Sequence, residues 1–423
     1  MAANLAADRL IFQAAAEVSL QASAATGSGE MTDHCQAARR TLGYRMFWAA
    51  TGSDRSPLVC LSNGLGVAGS WFFGEASGHL EKGVVMHKTI GRRCHYWAIG
   101  GLAAVVGLAV LASPARADSR QDLKNFQHVF VIMMENTGFD SLVGNPNAPW
   151  INQAAQTYGL AANYFGVTHP SQPNYIAATS GSTNGVANDN DATINVPNIV
   201  DQLEAHGKTW KAYMQSFALC ATPLDHACGN QLYERKHNPF VSYLDVQSNP
   251  ARMANIVDLS QLFTDLAGNT VPDYVWISPD QCHDMHGRAA TPADPCDFSQ
   301  VQSLIATGDA FLHSTVSAIM SSRAWTGNSV IFITWDESDF TGSGFQGFGD
   351  DSGCCDSPGG QGGGHVVTLV ISRSNHSPAM SNVAGNHYSM LATIEDGWRL
   401  GCLAFTCDTA NVQPMSDLVG PRG

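Results

Sequence analysis

Two acidic pairs in this sequence have the residue types of a metal site. Glu135 and Asn136 follow the apolar run HVFVIMM, and Asp336 and Glu337 follow SVIFIT after one tryptophan. One acidic residue after a strand is usually a turn or a helix cap. Two such pairs favour a binding site, because ligands collect beyond the carboxyl ends of parallel strands. Carboxylate and amide oxygens suit hard divalent cations, so the pairs predict a divalent metal ion whose identity the sequence leaves open.

A serine between two prolines is the candidate nucleophile. Pro170 and Pro173 restrict the backbone on both sides of Ser171, which predicts a rigid turn that holds the hydroxyl in one place. A free serine hydroxyl is a poor nucleophile and needs a base or a metal to activate it. No G-x-S-x-G motif surrounds Ser171, so activation by the predicted metal is favoured over a serine triad.

Several histidines stand at the ends of predicted strands and helices. A lone histidine is more often structural, but several in such positions suggest phosphate contacts, a general acid or a second metal position. The candidates, with one neighbouring carboxylate, are His283, Asp284, His286, His365 and His387.

The charge balance restricts the partners of this chain. Residues 118–423 carry 12 Lys and Arg against 29 Asp and Glu, a net charge near −17 at pH 7. Such a surface repels nucleic acid and anionic membranes, and an anionic substrate needs local cations. The one tight basic cluster is ERKH at 234–237, and we expect Lys236 and His237 to donate to phosphate oxygens, with a solvated loop as the alternative.

The elements that position these residues alternate along the chain. Continuous apolar runs predict buried strands, and the segments between them predict helices, which together indicate an α/β fold with a mostly parallel sheet. The predicted strands are 128–134, 209–214, 274–278, 329–334 and 366–372, and the predicted helices are 148–159, 197–207, 308–325 and 387–400. We interpret residues 118–423 as one catalytic domain. The glycine-rich stretch 342–364 is predicted to be a surface loop or lid, with a disordered insert as the alternative.

The first 117 residues predict an export signal preceded by an extension. Residues 86–93 are basic, an apolar run follows, and ARA at 115–117 is typical of a secretory cleavage site, so we expect cleavage after Ala117. Arg92 and Arg93 fit a twin-arginine signal poorly. A retained anchor is the alternative, although about 16 apolar residues are few for a span, which needs roughly 20. Residues 1–85 are interpreted as an unstructured extension or a miscalled start, and the remainder as secreted or periplasmic.

The cysteine count agrees with export. Eight cysteines lie after residue 117, an even number that a disulfide framework would require. Local pairs are plausible, namely 220 with 228, 282 with 296 and 402 with 407. The connectivity stays open at this point. A thiolate zinc site is disfavoured because no C-x2-C pair occurs.

Eight separated motifs occur in one order over roughly residues 126–420. They are HVFVIMMENTGFDSLVG, THPSQPNYIAATSGST, YERKHNPF, ISPDQCHDMHG, GDAFL, FITWDESD, GGGHVVTLVIS and NHYSMLATIEDGW. In this order they resemble the bacterial acid phosphatase and phospholipase C phosphoesterase family, most closely its secreted acid phosphatase branch, which includes phosphoinositide phosphatases. The resemblance implies an alkaline-phosphatase-like α/β/α sandwich, a metal bound by both acidic pairs, and Ser171 as nucleophile. It also implies a phosphate site lined by His283, Asp284, His286 and His365, with a weaker role for His387.

The residues and the resemblance together predict a secreted, metal-dependent acid phosphatase. It would hydrolyse phosphate monoesters, with phosphoinositides among the candidate substrates, through a phosphoserine, and His286 or His365 would protonate the leaving oxygen. A phospholipase C-type diesterase is the alternative, although that branch has a threonine followed by P-N-R, whereas Tyr175 follows Asn174 here. A sulfatase is disfavoured because the expected arginine is missing. The non-enzyme alternative is a cell-envelope binding protein with a dead site, and the oligomeric state is not predicted.

Overall fold

The computed structural model divides the chain into two compact units, Met1–Val106 and Gly107–Gly423. It describes residues 45–49, 58–62, 123, 125–339, 349–357, 361–375 and 379–420. In the first unit Arg45–Ala49 pairs antiparallel with Leu58–Ser62, which is regular structure that the sequence did not predict. The predicted signal at 86–117 lies outside the described residues. No described helix combines the length and the apolar character needed to span a membrane.

An eight-stranded, mostly parallel sheet is the centre of the second unit. Its strands are β1 (Val129–Met134), β2 (Gly159–Ala161), β3 (Trp210–Met214), β4 (Ile256–Asp258), β5 (Tyr274–Ser278), β6 (Val330–Trp335), β7 (Thr368–Ser372) and β8 (Ala379–Ser381). They lie in the order β8, β2, β7, β6, β1, β5, β3, β4. Strand β7 is antiparallel to both of its neighbours, and the other pairs are parallel.

Within the described residues, ten α-helices connect and cover the strands. They are α1 (Phe139–Leu142), α2 (Pro149–Thr157), α3 (Ser171–Ser180), α4 (Ile199–Ala205), α5 (Leu244–Gln247), α6 (Pro250–Met253), α7 (Ser260–Gly268), α8 (Val301–Ser321), α9 (His387–Trp398) and α10 (Ser416–Val419). Every residue of β1, β5, β6 and β7 is buried. Because successive side chains point to opposite faces of a sheet, both faces are covered, and the predicted α/β sandwich is confirmed.

Shorter elements complete the unit. The described connections contain four 3-10 helices, namely Phe217–Leu219, Arg235–His237, Pro239–Ser242 and Ala404–Cys407. They also contain four two-residue strands, namely Tyr164–Phe165, Ala227–Cys228, Tyr233–Glu234 and Gly385–Asn386. The three predicted local disulfides are formed, and a fourth joins the neighbours Cys354 and Cys355.

The five predicted strands and four predicted helices are confirmed, with differences at their ends. Helix α8 begins at Val301, seven residues before the predicted start. The short strands β2, β4 and β8, which lie at or next to the edges of the sheet, were not predicted, because they have only three residues each. The sheet places β1 beside β6, in register, so the residues after both strands emerge at one edge.

Candidate active site

The hydroxyl of Ser171 lies between the two acidic pairs. Its Oγ is 3.0 Å from Glu135 Oε2 and 3.0 Å from Glu337 Oε1. The backbone N–H of Asn136 donates to Asp336 Oδ1 at 3.1 Å, which joins the two pairs directly. These two residues are 200 positions apart in the sequence. They converge because β1 and β6 are neighbouring parallel strands.

Ser171 is the first residue of helix α3, not part of an isolated rigid turn as predicted from the prolines. Asn174 fixes the approach to the helix: its Oδ1 accepts hydrogen bonds from the N–H groups of Val167 and Thr168, at 2.8 and 3.1 Å. Its Nδ2 donates to the carbonyl of Thr168 at 2.7 Å. The segment before Ser171 is thus held by the helix itself, and all ten residues of α3 are buried.

The carboxylates around Ser171 are buried and repel one another. Burial, with the charge of Asp336 as a second cause, raises the pKa of Glu135 well above its usual range. Burial and then the charge of Glu337 raise the pKa of Asp336. Burial also raises the pKa of Glu337, although a hydrogen bond from His169 opposes this. A fourth buried carboxylate, Asp284, carries a pKa raised mainly by burial. Buried negative charges are costly unless a cation or hydrogen bonds pair them.

The donor set around Ser171 fits a divalent cation. Asp336 Oδ2 and Asp284 Oδ2 are buried and have no hydrogen-bond partner among the described residues. The Asn136 side chain fits best with its amide nitrogen towards the carboxylates, 2.6 Å from Glu135 Oε2 and 3.2 Å from Asp336 Oδ1. An oxygen-rich, buried set with surplus negative charge is what a hard cation binds.

The carboxylate oxygens around Ser171 are not all close enough to one another to form a compact ligand set. Within the described ranges, the one trio of His, Cys or carboxylate ligand atoms that all lie within 4.8 Å of one another is Cys220, Asp225 and Cys228. These two cysteines form a disulfide, so that trio is no thiolate site. Around Ser171 the acidic pairs are more widely spaced, and the serine hydroxyl bridges them.

Lys236 supplies positive charge beside the acidic residues, as expected from the basic cluster. Its Nζ donates to Asp189 Oδ2 at 2.9 Å, and the side chain is largely buried. Asp189 Oδ1 accepts from the N–H of Gln172 at 2.9 Å, so one carboxylate joins Lys236 to the first turn of α3. Burial works against the charge of Lys236, but Asp189 and Glu135 outweigh it and raise the lysine pKa. Lys236 therefore stays a cation.

Comparison with known proteins identifies the family. The model of the family described as "Phosphoesterase family" matches residues 145–401, which is more than half of the chain and includes Ser171, Asp336 and Glu337. The chain belongs to this phosphoesterase family. The predicted enzyme class, a phosphoric ester hydrolase, is thereby confirmed.

Relatives of this phosphoesterase carry related names. It is 27% identical to a phosphatidylinositol-3-phosphatase of Mycobacterium tuberculosis, over 76% of this chain and 88% of the relative. It is 25% identical to a probable acid phosphatase of Kluyveromyces lactis, over 68% and 62%, and 27% identical to an acid phosphatase of Aspergillus fumigatus, over 56% and 50%. The chain thus spans less than two thirds of these two fungal relatives. A solved Vibrio parahaemolyticus protein of the alkaline phosphatase superfamily is similar in structure, with 13% identity, a TM-score of 0.45 and 72% of each chain covered.

His237 and His286 lie beside the acidic residues of the phosphoesterase site. His237 Nε2 is 3.1 Å from Glu135 Oε1, within ion-pair distance but outside hydrogen-bond geometry, and its Nδ1 is 3.6 Å from Asp284 Oδ2. Burial lowers the pKa of His237 well below its usual range, so the ring is neutral. The His286 ring lies 5.9 Å from that of His237, and its Nδ1 donates to the carbonyl of Gly287. Burial lowers the pKa of His286 to about 4.

Two predicted histidines, His365 and His387, have both a fixed ring and a backbone carbonyl as partner. The ring of His365 stacks on Phe139 at 4.1 Å, and its Nε2 donates to the carbonyl of Ala162 at 3.1 Å. These contacts fix the orientation of the ring, and the role of His365 as general acid stays a prediction. His387 donates from Nε2 to the carbonyl of Asp336 at 2.7 Å. It therefore supports the backbone of an acidic pair instead of contacting phosphate.

His283 faces a different part of the molecule. Its Nδ1 bonds to Asp280 Oδ1 at 2.6 Å, and its ring lies 5.6 Å from Phe311. It lines a separate groove of about 620 Å³ along α8. This geometry does not support the predicted phosphate contact of His283. His283 and Asp284 lie in the same loop, but the side chain of His283 faces a different surface.

Two site residues were missed from the sequence. His169 contacts Glu337 Oε2 through Nδ1 and donates from Nε2 to the carbonyl of Asp350 at 2.9 Å, which ties the described part of the glycine-rich loop to the site. Tyr175 donates to Glu135 at 2.5 Å. The motif HPSQPNY contains both residues. A histidine before a proline and an aromatic residue in a helix are common features, so they give no signal of a site in the sequence. Only the fold reveals their partners.

Proposed function

We propose that this phosphoesterase is a metal-dependent acid phosphatase that hydrolyses phosphate monoesters through a phosphoserine at Ser171. The observation that supports the proposal best is the position of Ser171 Oγ, 3.0 Å from carboxylate oxygens of both acidic pairs. A nucleophile needs a base within hydrogen-bond distance, and Ser171 has two such carboxylates.

Glu135, Asn136, Asp336 and Glu337 would hold the divalent cation. For Asn136 this requires the amide to turn its oxygen inwards. When bound, such an ion polarises a phosphoryl oxygen and favours the deprotonated serine. Lys236 would bind the phosphate oxygens through its buried ammonium group, which Asp189 holds in place.

The chain's own residues would carry out the proton transfers. Ser171 Oγ passes its proton to Glu135 or Glu337 and forms a bond to phosphorus, while the bond from phosphorus to the alcohol oxygen breaks in line. His286 is the preferred candidate to protonate that oxygen, because it lies beside His237 in the site and its Nε2 takes up a proton only in acid. Water then attacks phosphorus and gives a proton to His286, the bond from phosphorus to Ser171 Oγ breaks, and the serine oxygen takes back the proton held by Glu135 or Glu337 as phosphate leaves.

Two further features belong to the proposal. The relative named as a phosphatidylinositol-3-phosphatase supports phosphoinositides as candidate substrates. The four disulfides support export to an oxidising compartment, in line with the predicted signal at 86–117. A binding protein with a dead site is disfavoured, since binding alone needs no serine aligned with two carboxylates.

Reconstitution with single metals tests the proposal. The purified protein would be stripped with a chelator, checked for metal by elemental analysis, and given one divalent metal at a time. We expect hydrolysis of p-nitrophenyl phosphate to vanish on stripping and to return with at least one metal, with greatest rates in acid.

The ester used decides between the proposal and the diesterase alternative. The reactivated protein is expected to release inorganic phosphate from p-nitrophenyl phosphate and from a phosphatidylinositol monophosphate, and no phosphocholine from phosphatidylcholine. Full activity without metal would refute the metal requirement, and release of phosphocholine would favour the phospholipase C-type reaction.

A further inference from the structure

Tyr175 lies one helical turn after Ser171, on the same side of α3. Its hydroxyl donates to Glu135 Oε1 at 2.5 Å, and its side chain is only 1% exposed. The aromatic ring packs against two others: it stacks on His237 with ring centres 5.3 Å apart, and it lies 6.1 Å from the tilted ring of Trp276. The hydroxyl therefore has little freedom to leave Glu135.

The two oxygens of Glu135 have different partners because of this contact. Oε1 accepts from Tyr175, whereas Oε2 accepts from Ser171 at 3.0 Å. A carboxylate that is free to rotate about its terminal bond would exchange these positions. With Oε1 bound to a buried tyrosine, only Oε2 remains directed to the serine.

We propose that Tyr175 is a positioning residue, which fixes Glu135 so that one chosen carboxylate oxygen faces both Ser171 and the cation. This inference rests on the proposed metal-dependent hydrolysis. The Tyr175 hydroxyl bonds to Glu135 and not to the serine oxygen, so its effect passes through Glu135. Partners that orient metal-binding side chains typically change metal affinity or activity by 10–100-fold.

Tyr175→Phe is the direct test, because it removes one oxygen atom and keeps the ring packed against His237 and Trp276. Calorimetric titration of the stripped full-length protein with Mn²⁺ and with Zn²⁺ measures metal binding without any substrate. We expect the Kd for the tighter metal to rise by about 10-fold or more in the variant. At saturating metal, we expect kcat to fall and the KM for p-nitrophenyl phosphate to stay within about twofold, since Tyr175 has no contact with the substrate site itself.

Tyr243 provides a matched control, because it lies outside helix α3 but its hydroxyl bonds to that helix. Its buried hydroxyl pairs with Thr179 Oγ1 of α3 at 2.6 Å, away from the acidic pairs. Tyr243→Phe is expected to lower the melting temperature as much as Tyr175→Phe does, and to leave the metal Kd unchanged. Replacing Tyr175 by p-aminophenylalanine restores a donor on the same ring and is expected to recover most of the affinity.

The outcomes separate the two proposals. A Tyr175→Phe protein that binds metal as tightly as the wild type, within about twofold, overturns the positioning role while the hydrolysis stands. Equal loss of affinity in both phenylalanine variants would also overturn it, because a general packing defect would then be the cause. A wild-type protein that binds neither metal and hydrolyses no ester refutes the proposed function as a whole.

Discussion

Ser171→Ala is expected to lower kcat for p-nitrophenyl phosphate by at least about 10⁴-fold, the scale seen when a nucleophilic serine is removed. The hydroxyl is the group placed between Glu135 and Glu337, and alanine leaves no oxygen that could bond to phosphorus. Steady-state kinetics on the metal-reconstituted protein measure the loss. Metal binding is expected to remain, because the four carboxylate and amide side chains are unchanged.

The control for this variant is a second buried serine of α3. Ser180 donates to the carbonyl of Ile176 at 2.8 Å and does not contact the acidic pairs. Ser180→Ala removes the same atom from the same helix, so a general effect of helix destabilisation would appear in both variants. Loss of activity in Ser171→Ala alone assigns the effect to the nucleophile, and retained turnover in Ser171→Ala would contradict it.

Asp336→Asn is expected to remove metal and activity together. The amide has nearly the same shape but no charge, and kcat is expected to fall by about 10³-fold, as when a main electrostatic contribution to a transition state is lost. Metal content after dialysis, measured by elemental analysis, is expected to drop in parallel. The metal-free variant is expected to melt no lower than the metal-free wild type, because burial and the neighbouring Glu337 make a negative charge on Asp336 unfavourable.

Asp309 is the matched buried carboxylate for comparison. It accepts from the N–H groups of Trp150 and Ile151 at the start of α2, at 3.1 and 2.8 Å. Asp309→Asn is expected to lower the melting temperature while keeping metal and activity, which is the opposite pattern. An Asp336→Asn protein that retains its metal and its rate would exclude Asp336 as a ligand.

The central strands and the two acidic pairs could be predicted from the sequence for a simple physical reason. A strand buried on both faces has no polar alternation, so runs such as VFVIMM and VIFITW stand out, and a polar residue directly after such a run lies at the sheet edge. The convergence of Glu135 and Glu337 follows from the parallel pairing of β1 with β6. The short strands β2, β4 and β8 have too few residues to give any such signal.

The surroundings of the serine could not be predicted in the same way. The prolines suggested a turn, whereas Ser171 begins a helix whose approach is held by Asn174. The histidines have similar sequence contexts but different partners: His365 binds a carbonyl beside two phenylalanines, and His286 lies near His237. These partners are set by packing between residues that are distant in the sequence. No local pattern of residue spacing therefore predicts them.

Trapping the covalent intermediate tests the central claim most directly. The reconstituted protein would be mixed with a phosphate monoester, quenched in acid within milliseconds, digested, and analysed by mass spectrometry. We expect one phosphoryl group on Ser171 in the peptide that contains HPSQPNY, and none in Ser171→Ala. Rapid hydrolysis with no phosphoryl group on Ser171 at any quench time, or a phosphoryl group on another residue, would contradict the mechanism.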